Sequence, residues 1–249
     1  MADVDQPITL SVIVPALNEA ENLEACVREA VQALSAQLTY EILIFNDGSS
    51  DATGAVAQAL MNEFPSIRVF HNPATRGLGY NYTRGVELAR GTYVMMVPGD
   101  NELRFASLGP ALEMLGSHDI IIPYIANPKV RPFSRRILSR LFTGFLNLMF
   151  GLKVKYFNGP CIHRTQLLRQ FPIETTGFAY MAQTLVRLLK KANATYRQVP
   201  MELRARTHGS SKAFAPRNVL SVGQTLFSLV REIYFSKNSY ALVQKEKLT

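Results

Sequence analysis

Thr92-Tyr93-Val94-Met95-Met96-Val97-Pro98-Gly99-Asp100-Asn101-Glu102 is an apolar run of strand formers that ends abruptly at Pro-Gly and is followed at once by an acidic pair. In an open parallel α/β sheet, ligands sit just outside the carboxyl ends of the strands. A carboxylate at that point can hold a divalent cation against a diphosphate, because hard cations take oxygen ligands and share them with substrate phosphates. The plainer alternative is a strand closing in a Pro-Gly-Asp turn beside a solvated Glu. The residues upstream decide between the two.

Upstream, Leu10 to Pro15 is a short β-branched run, read as a buried strand. Ala20 to Leu38 places Leu23, Cys26, Val27, Ala30, Val31 and Leu34 at helical spacing. Glu41 to Phe45 reads as a second strand, stopped by Asn46-Asp47-Gly48-Ser49-Ser50-Asp51. Ala52 to Phe64 reads as a helix capped by Asp51 or Ser50, Ile67 to Phe70 as a strand, and Gly77 to Ala89 as a helix. Strands alternating with helices of this length predict βαβ units and a mostly parallel, Rossmann-like α/β sheet. Downstream the pattern predicts a helix over Ser107 to Leu115, a strand over Ile120 to Ile122 and a helix over Gly177 to Lys191. A strand over Tyr196 to Leu203 and an amphipathic helix over Asn218 to Phe235 follow, and then a Lys-rich tail.

The 249 residues suit one large α/β domain, or one domain plus an appendage, and 47% hydrophobic residues suffice for a sizeable core. The formal charge of +8 suggests an anionic partner: nucleic acid, a phosphorylated substrate or an acidic membrane surface. Cys26 and Cys161 form no spaced framework and read as free thiols in a reducing compartment. The polar, acidic start Met1-Ala2-Asp3-Val4-Asp5 carries no signal-peptide pattern. No apolar run approaches the ~18 to 20 residues that a spanning helix needs. The expectation is a protein of the cytoplasm, dissolved or lying on a membrane.

Two familiar phosphate loops are missing. No Gly-x-Gly-x-x-Gly follows the first strand, against a dinucleotide dehydrogenase, and no Gly-x4-Gly-Lys-Ser/Thr occurs, against a P-loop NTPase. Instead, polar residues follow successive strands: Asn18-Glu19, then Asn46-Asp47-Gly48-Ser49, then Asp100-Asn101-Glu102. Each has a bland reading, as a first-turn acid or a tight turn. Their convergence at one sheet edge would suit a base, ribose hydroxyls and a metal. The four histidines show no metal spacing and read as structural, with His208 a possible exception.

Ser11-Val12-Ile13-Val14-Pro15-Ala16-Leu17-Asn18-Glu19, then Asn46 to Thr53, then Asn72-Pro73-Ala74-Thr75-Arg76-Gly77-Leu78-Gly79 together resemble the N-terminal half of family 2 glycosyltransferases of the GT-A fold. Within that family the chain is most similar to polyprenyl-phosphate sugar synthases of the dolichol-phosphate mannosyltransferase kind. Arg206-Thr207-His208-Gly209-Ser210-Ser211-Lys212 resembles their Arg-x-x-Gly-x-Ser-Lys loop. The resemblance implies donor contacts at Pro15, Asn18, Glu19, Asp47, Gly48, Arg76, Gly99 and Ser211. It implies Mg²⁺ or Mn²⁺ at Asp100, and diphosphate contacts from Arg206 and Lys212, which with Asp100 form the expected catalytic set. The chain departs from the pattern at Pro98, where the family's Asp-x-Asp has its first Asp, and Glu102 is expected to supply the missing oxygen. Asn46 replaces the first Asp of Asp-Asp-Gly-Ser, and Pro123-Tyr124 replaces an expected Arg.

Sugar transfer leaves a negatively charged diphosphate, which a metal or Arg and Lys must stabilise in a dry cleft. A hydroxyl acceptor also needs a positioned base. From Glu174 to Gln183 the only carboxylate is Glu174, ahead of the expected helix. A phosphate monoester needs no base, since its second pKa is about 6. The expected acceptor is therefore a polyprenyl phosphate, held by Arg131, Arg135 and Arg136, with Leu141 to Phe150 beside the prenyl chain. The same block also reads as an ordinary core helix with a solvated basic end. On this reading residues 1–215 form the GT-A domain, with 128–157 on the acceptor side. Residues 216–249 form an amphipathic helix and basic tail that touch a membrane, and an integral membrane partner is conceivable. The alternatives are a family 2 transferase with a saccharide hydroxyl acceptor and Glu174 as base, or a nucleotide-sugar-binding protein without turnover. Nucleic acid is not the expected partner, because the basic residues sit beside aliphatic ones and not in a stacking platform.

Overall fold

The computed structural model describes residues 7–171, 179–205 and 216–235. At the centre lies β1 (Leu10–Ala16), buried at every position. It pairs in parallel with β2 (Tyr40–Asn46) and β4 (Tyr93–Met96), and β3 (Ile67–His71) pairs in parallel with the outer side of β2. The crossovers are α1 (Leu23–Ser35), α2 (Thr53–Glu63) and α3 (Leu78–Leu88). Alternate residues of β1 serve two layers: Leu10, Val12 and Val14 pack with Val27, Ala30 and Leu34 of α1, while Ile13 packs with Tyr82 and Val86 of α3. A strand covered on both faces reads as a continuous apolar run, which is why Leu10 to Pro15 was legible as β.

Beyond β4 a 3₁₀ turn (Phe105–Leu108) leads into the single turn α4 (Gly109–Leu112), β5 (Ile120–Ile125) and α5 (Phe133–Phe150). After them come β6 (Ile162–Arg164), α6 (Thr165–Arg169), α7 (Tyr180–Lys190), β7 (Tyr196–Met201) and α8 (Pro216–Phe235). The sheet order is β3-β2-β1-β4-β6-β5-β7, with β6 antiparallel to both of its neighbours.

Three expectations need correction, and one strand was missed. The helix expected over Ser107 to Leu115 is a 3₁₀ turn that runs straight into one α turn, which starts at Gly109-Pro110 and ends at Leu112, with Gly116 beyond it at φ 93°. The helix expected from Gly77 starts one residue later, since Gly77 sits at φ 90° as its N-cap. The strand expected to run to Leu203 stops at Met201, and Leu203 makes an isolated bridge to Leu103. The strand β6 was not foreseen at all.

The basic block from Arg135 and the apolar block to Phe150 form one helix, α5, packed through Leu146 and Phe150. Phe142 and Met149 pack partly buried beside them, and a ridge of six faces solvent: Phe133, Ile137, Leu138, Leu141, Phe145 and Leu148, the last 87% exposed. Helix α8 docks through buried Leu229, through Glu232 between Arg187 (2.7 Å) and Lys191 (2.7 Å), and through Tyr234 stacked on Phe150. Phe227 and Phe235 of α8 remain exposed. Among the described residues no helix is long and apolar enough to cross a membrane.

Candidate active site

The ladder runs past the ends of β1, β2 and β4 and levels the turns that follow them. The Asp47 amide donates to Ala16 O (2.9 Å) on one side of β1, and the Gly99 amide donates to Pro15 O (3.0 Å) on the other. Asn18-Glu19, Asp47-Gly48 and Asp100-Glu102 therefore lie at one end of the sheet, as expected.

Side chains stitch these turns together. Asn18, at φ 56°, accepts the Ser50 amide (2.9 Å) and donates its own amide to Ser49 Oγ (3.0 Å). The Glu19 amide donates to Thr53 Oγ1 (2.8 Å), and the Ala20 amide to Asp51 Oδ2 (3.2 Å). Asp51 also accepts the Thr53 amide (3.0 Å), but the N-cap of α2 is Ala52, not the expected Asp51 or Ser50, and it makes no side-chain cap bond. Glu19 Oε2 accepts Asn22 Nδ2 (2.7 Å).

Asp47 is nearly buried, and both of its oxygens serve the loop before α3. Oδ1 accepts Asn72 Nδ2 (2.7 Å) and the Arg76 amide (2.9 Å), and Oδ2 accepts the Gly77 amide (2.9 Å). The resemblance implies a donor contact at Asp47; the geometry shows a loop anchor, fixing the backbone of Arg76, whose guanidinium lies 4.5 Å over the Tyr80 ring. Gly48 is confined by the same loop. A Cβ there would stand 2.6 Å from Ala74 C and Thr75 N, at φ +73°.

Asp100 is half-buried at the tip of the β4 turn, and its Oδ1 accepts the Glu102 amide (3.2 Å) across Asn101 at φ 56°. Beneath the turn lies Cys26, its Sγ 3.7 Å from Pro98 O. Burial, and then the Asp100 charge, push its thiol up to about 12. It stays protonated and offers no thiolate to a metal. Cys161 is likewise buried and free.

Glu102 has a place that the sequence did not reveal. Its carboxylate lies between Arg131 (Nη2–Oε2 3.5 Å) and Arg135 (Nη1–Oε1 3.4 Å), joining an expected metal ligand to two expected acceptor contacts. Arg136 points elsewhere, its guanidinium 5.6 Å from the centre of the Phe133 ring. Sequence reasoning also missed Arg204. Its amide donates to Glu102 O (2.8 Å), and its Nη1 donates to Asn101 Oδ1 (2.6 Å) and Glu29 Oε2 (2.6 Å). Segment 202–204 thus runs against 102–104 and brings the chain to Ala205 beside the Asp100 turn. Arg206, His208, Ser211 and Lys212 come next and, like Glu174, lie outside the described residues.

His163 is structural: it is buried, accepts or donates at Nδ1 with Tyr82 Oη (3.0 Å), and burial drives its pKa to about 3. His71 Nδ1 contacts Asn46 Nδ2 (3.1 Å). Among the described residues no group of three or more His, Cys, Asp or Glu could hold a metal. The donor set at the turn is two carboxylates, Asp100 and Glu102. That suits Mg²⁺ or Mn²⁺, which are commonly held by one or two carboxylates together with substrate phosphates; it does not suit a site made of protein ligands alone.

Comparison with known proteins gives the family and the fold. The family model described as "Glycosyl transferase family 2" matches residues 11–191. A dolichol-phosphate mannosyltransferase of Pyrococcus furiosus is 28% identical over 233 residues, covering 90% of this chain, which spans only 62% of that protein's length. A dolichyl-phosphate β-glucosyltransferase of Dictyostelium discoideum is 36% identical over 106 residues, 39% of this chain and 32% of that protein. Among solved structures, glucosyl-3-phosphoglycerate synthase from Mycobacterium tuberculosis, in complex with Mn²⁺, UDP-glucose and phosphoglyceric acid, superposes with a TM-score of 0.66 at 20% identity, covering 90% of this chain and 80% of that one. Staphylococcus aureus TarS in complex with UDP-GlcNAc gives 0.66 at 15% identity, covering 94% and 69%. With its strand-end turns gathered beside β1 and its mixed seven-stranded sheet, the chain has the GT-A fold, is similar to the polyprenyl-phosphate sugar synthases, and belongs to glycosyl transferase family 2.

Proposed function

We propose that this glycosyltransferase moves a sugar from a nucleoside-diphosphate sugar to a polyprenyl phosphate at a membrane surface, with inversion at the anomeric carbon. One observation carries the reading: α5 presents Arg135 to the Asp100–Glu102 turn and, on the same helix, an apolar ridge to solvent. A phosphate held near Arg131 and Arg135 would lie beside the donor turn, with its chain running along Phe133, Ile137 and Leu141. The names of the two dolichyl-phosphate relatives support this acceptor class. In the reaction a phosphate oxygen attacks the anomeric carbon, the bond to the diphosphate breaks, and the nucleoside diphosphate leaves with the electron pair. Bound Mg²⁺ or Mn²⁺ would neutralise the leaving charge. Asp100 and Glu102 are the residues to hold it, with Arg206 and Lys212 as further diphosphate contacts. Asp47 and the loop it anchors, Asn18, Glu19 and Gly48 frame the base and ribose. Tested with a radiolabelled donor, a short-chain polyprenyl phosphate should accept sugar and the matching polyprenol should not. Equal transfer to the polyprenol would sink the reading in favour of a hydroxyl acceptor.

The membrane contact has its own test. The α5 ridge is flanked by the exposed Arg140 and by Lys155, a pattern that suits an anionic bilayer surface. Burying one leucine side chain is worth about 1.5–3 kcal/mol. The double variant Leu141→Asp/Leu148→Asp should therefore lower partition onto vesicles containing anionic lipid by about tenfold or more. Flotation of the variant with vesicles to the native extent would exclude α5 as the contact.

A further inference from the structure

We infer that Glu102 is an internal stand-in for the acceptor's phosphate: it occupies the Arg131–Arg135 fork until a phosphate dianion displaces it. This rests on reading those arginines as the acceptor contacts. The carboxylate is 11% exposed, and its partners' side chains are 14% and 26% exposed, so all three charges are partly withdrawn from water. Two guanidiniums left there alone would repel each other at a cost that water screens only in part. Glu102 offsets that repulsion.

The fit of Glu102 to these two arginines is nevertheless loose. Separations of 3.4 and 3.5 Å exceed the roughly 2.7–2.9 Å of a strong charge-assisted bond. Each oxygen faces a different arginine, so neither pair is a two-pronged fork. Among the described residues, one negative charge also meets two positive ones. A phosphate monoester brings about −1.5 to −2 charge and three acceptor oxygens to the same place. It can satisfy both guanidiniums where one carboxylate cannot. A monoanion brings no more charge than Glu102 already supplies, and gains little by displacing it.

The surroundings allow the exchange. Arg131 keeps its position without Glu102, because its Nη1 donates to Tyr156 Oη (2.8 Å) and its guanidinium lies 5.8 Å from the Tyr156 ring centre. The Glu102 backbone is pinned through its amide by Asp100 and through its carbonyl by Arg204. Displacement is then a side-chain rotation that leaves the carboxylate on the Asp100 turn. Glu102 thereby sets the selectivity of the fork for dianions over monoanions.

Isothermal titration of the full chain, with neither metal nor donor, tests this. The probes are a short-chain prenyl monophosphate and its methyl diester. The monoester should bind the native protein and the diester markedly less well. Glu102→Gln should tighten monoester binding by roughly tenfold and narrow the gap between the two probes. Glu102→Asp, which keeps the charge but shortens its reach, should fall between native and Gln and guards against a Gln variant that folds poorly. Unchanged or weaker monoester binding in Glu102→Gln and Glu102→Asp overturns the inference. If that binding still needs Arg131 and Arg135, the acceptor assignment survives alone. If the monoester binds neither the native protein nor the variants, both fall together.

Discussion

Asp100→Ala should lower the rate of sugar transfer by about 10²–10³-fold, the scale expected when a group that meets developing charge is removed from a closed site. Asp100 lies at the carboxyl end of a central strand, level with Asp47 across β1. Asp100→Asn is the sharper variant. It keeps an oxygen to accept the Glu102 amide, now at 3.2 Å, and so preserves the turn while removing the charge. A loss confined to Ala would mark Asp100 as a turn former. A loss shared by Ala and Asn would mark the charge as the working feature. Stability should change by about 1 kcal/mol in either, the scale of a half-buried hydrogen bond such as the one from the Glu102 amide. Steady-state rates at saturating donor and Mn²⁺, read beside thermal melts, separate these outcomes. Transfer within tenfold of native in both variants would remove Asp100 from the chemistry and place neutralisation of the diphosphate on the Arg206–Lys212 loop.

The gathering of the strand-end turns was legible because it is local. Each turn follows its strand directly, and parallel pairing of β1, β2 and β4 brings the turns together without further information. The basic cluster around Glu102 was legible only as composition. That Arg131 and Arg135, 29 and 33 residues beyond Glu102, would close on that carboxylate depends on how α5 crosses the sheet edge, and no short-range pattern encodes a crossing. Strand β6 escaped for a related reason. Three residues, Ile162-His163-Arg164, carry no periodicity, and they are strand only because β4 and β5 leave a gap that an antiparallel partner fills. Asp47 shows the opposite case. Asp-Gly after a strand announces a turn, yet nothing in the motif says that the carboxylate would anchor a loop 25 to 30 residues away.

Glu41 completes the contrast, and its removal should carry the largest stability cost. At the start of a strand a glutamate reads as a solvated edge residue, but this side chain is 1% exposed. It accepts Ser11 Oγ (2.7 Å), the Arg90 amide (2.6 Å), Arg90 Nε (3.0 Å) and Arg68 Nη1 (3.0 Å). Ser11 Oγ in turn accepts the Gly91 amide (2.9 Å), so one carboxylate ties β1, β3 and the entry to β4 at the end of the sheet opposite the active site. Glu41→Ala leaves the Arg90 amide and Ser11 without their acceptor and the Arg68 charge without its partner, and should cost about 3–5 kcal/mol. The pH dependence has a fixed sign. Burial alone would raise the carboxyl's pKa, but the bonds from Arg90, Ser11 and Arg68 outweigh it and hold the value below the ordinary 4.5. A depressed carboxylate contributes stability that is present above its unfolded pKa and lost as pH falls through the folded one. The gap between native and Glu41→Ala in urea denaturation should therefore be full at pH 7 and shrink below about pH 4.5. Other depressed carboxylates, Asp51, Asp119 and Glu232, make the native protein acid-sensitive as well, but they are common to both chains and drop out of the difference. A gap under 1 kcal/mol at pH 7, or one that widens in acid, would show that the sheet holds its register at this end without Glu41.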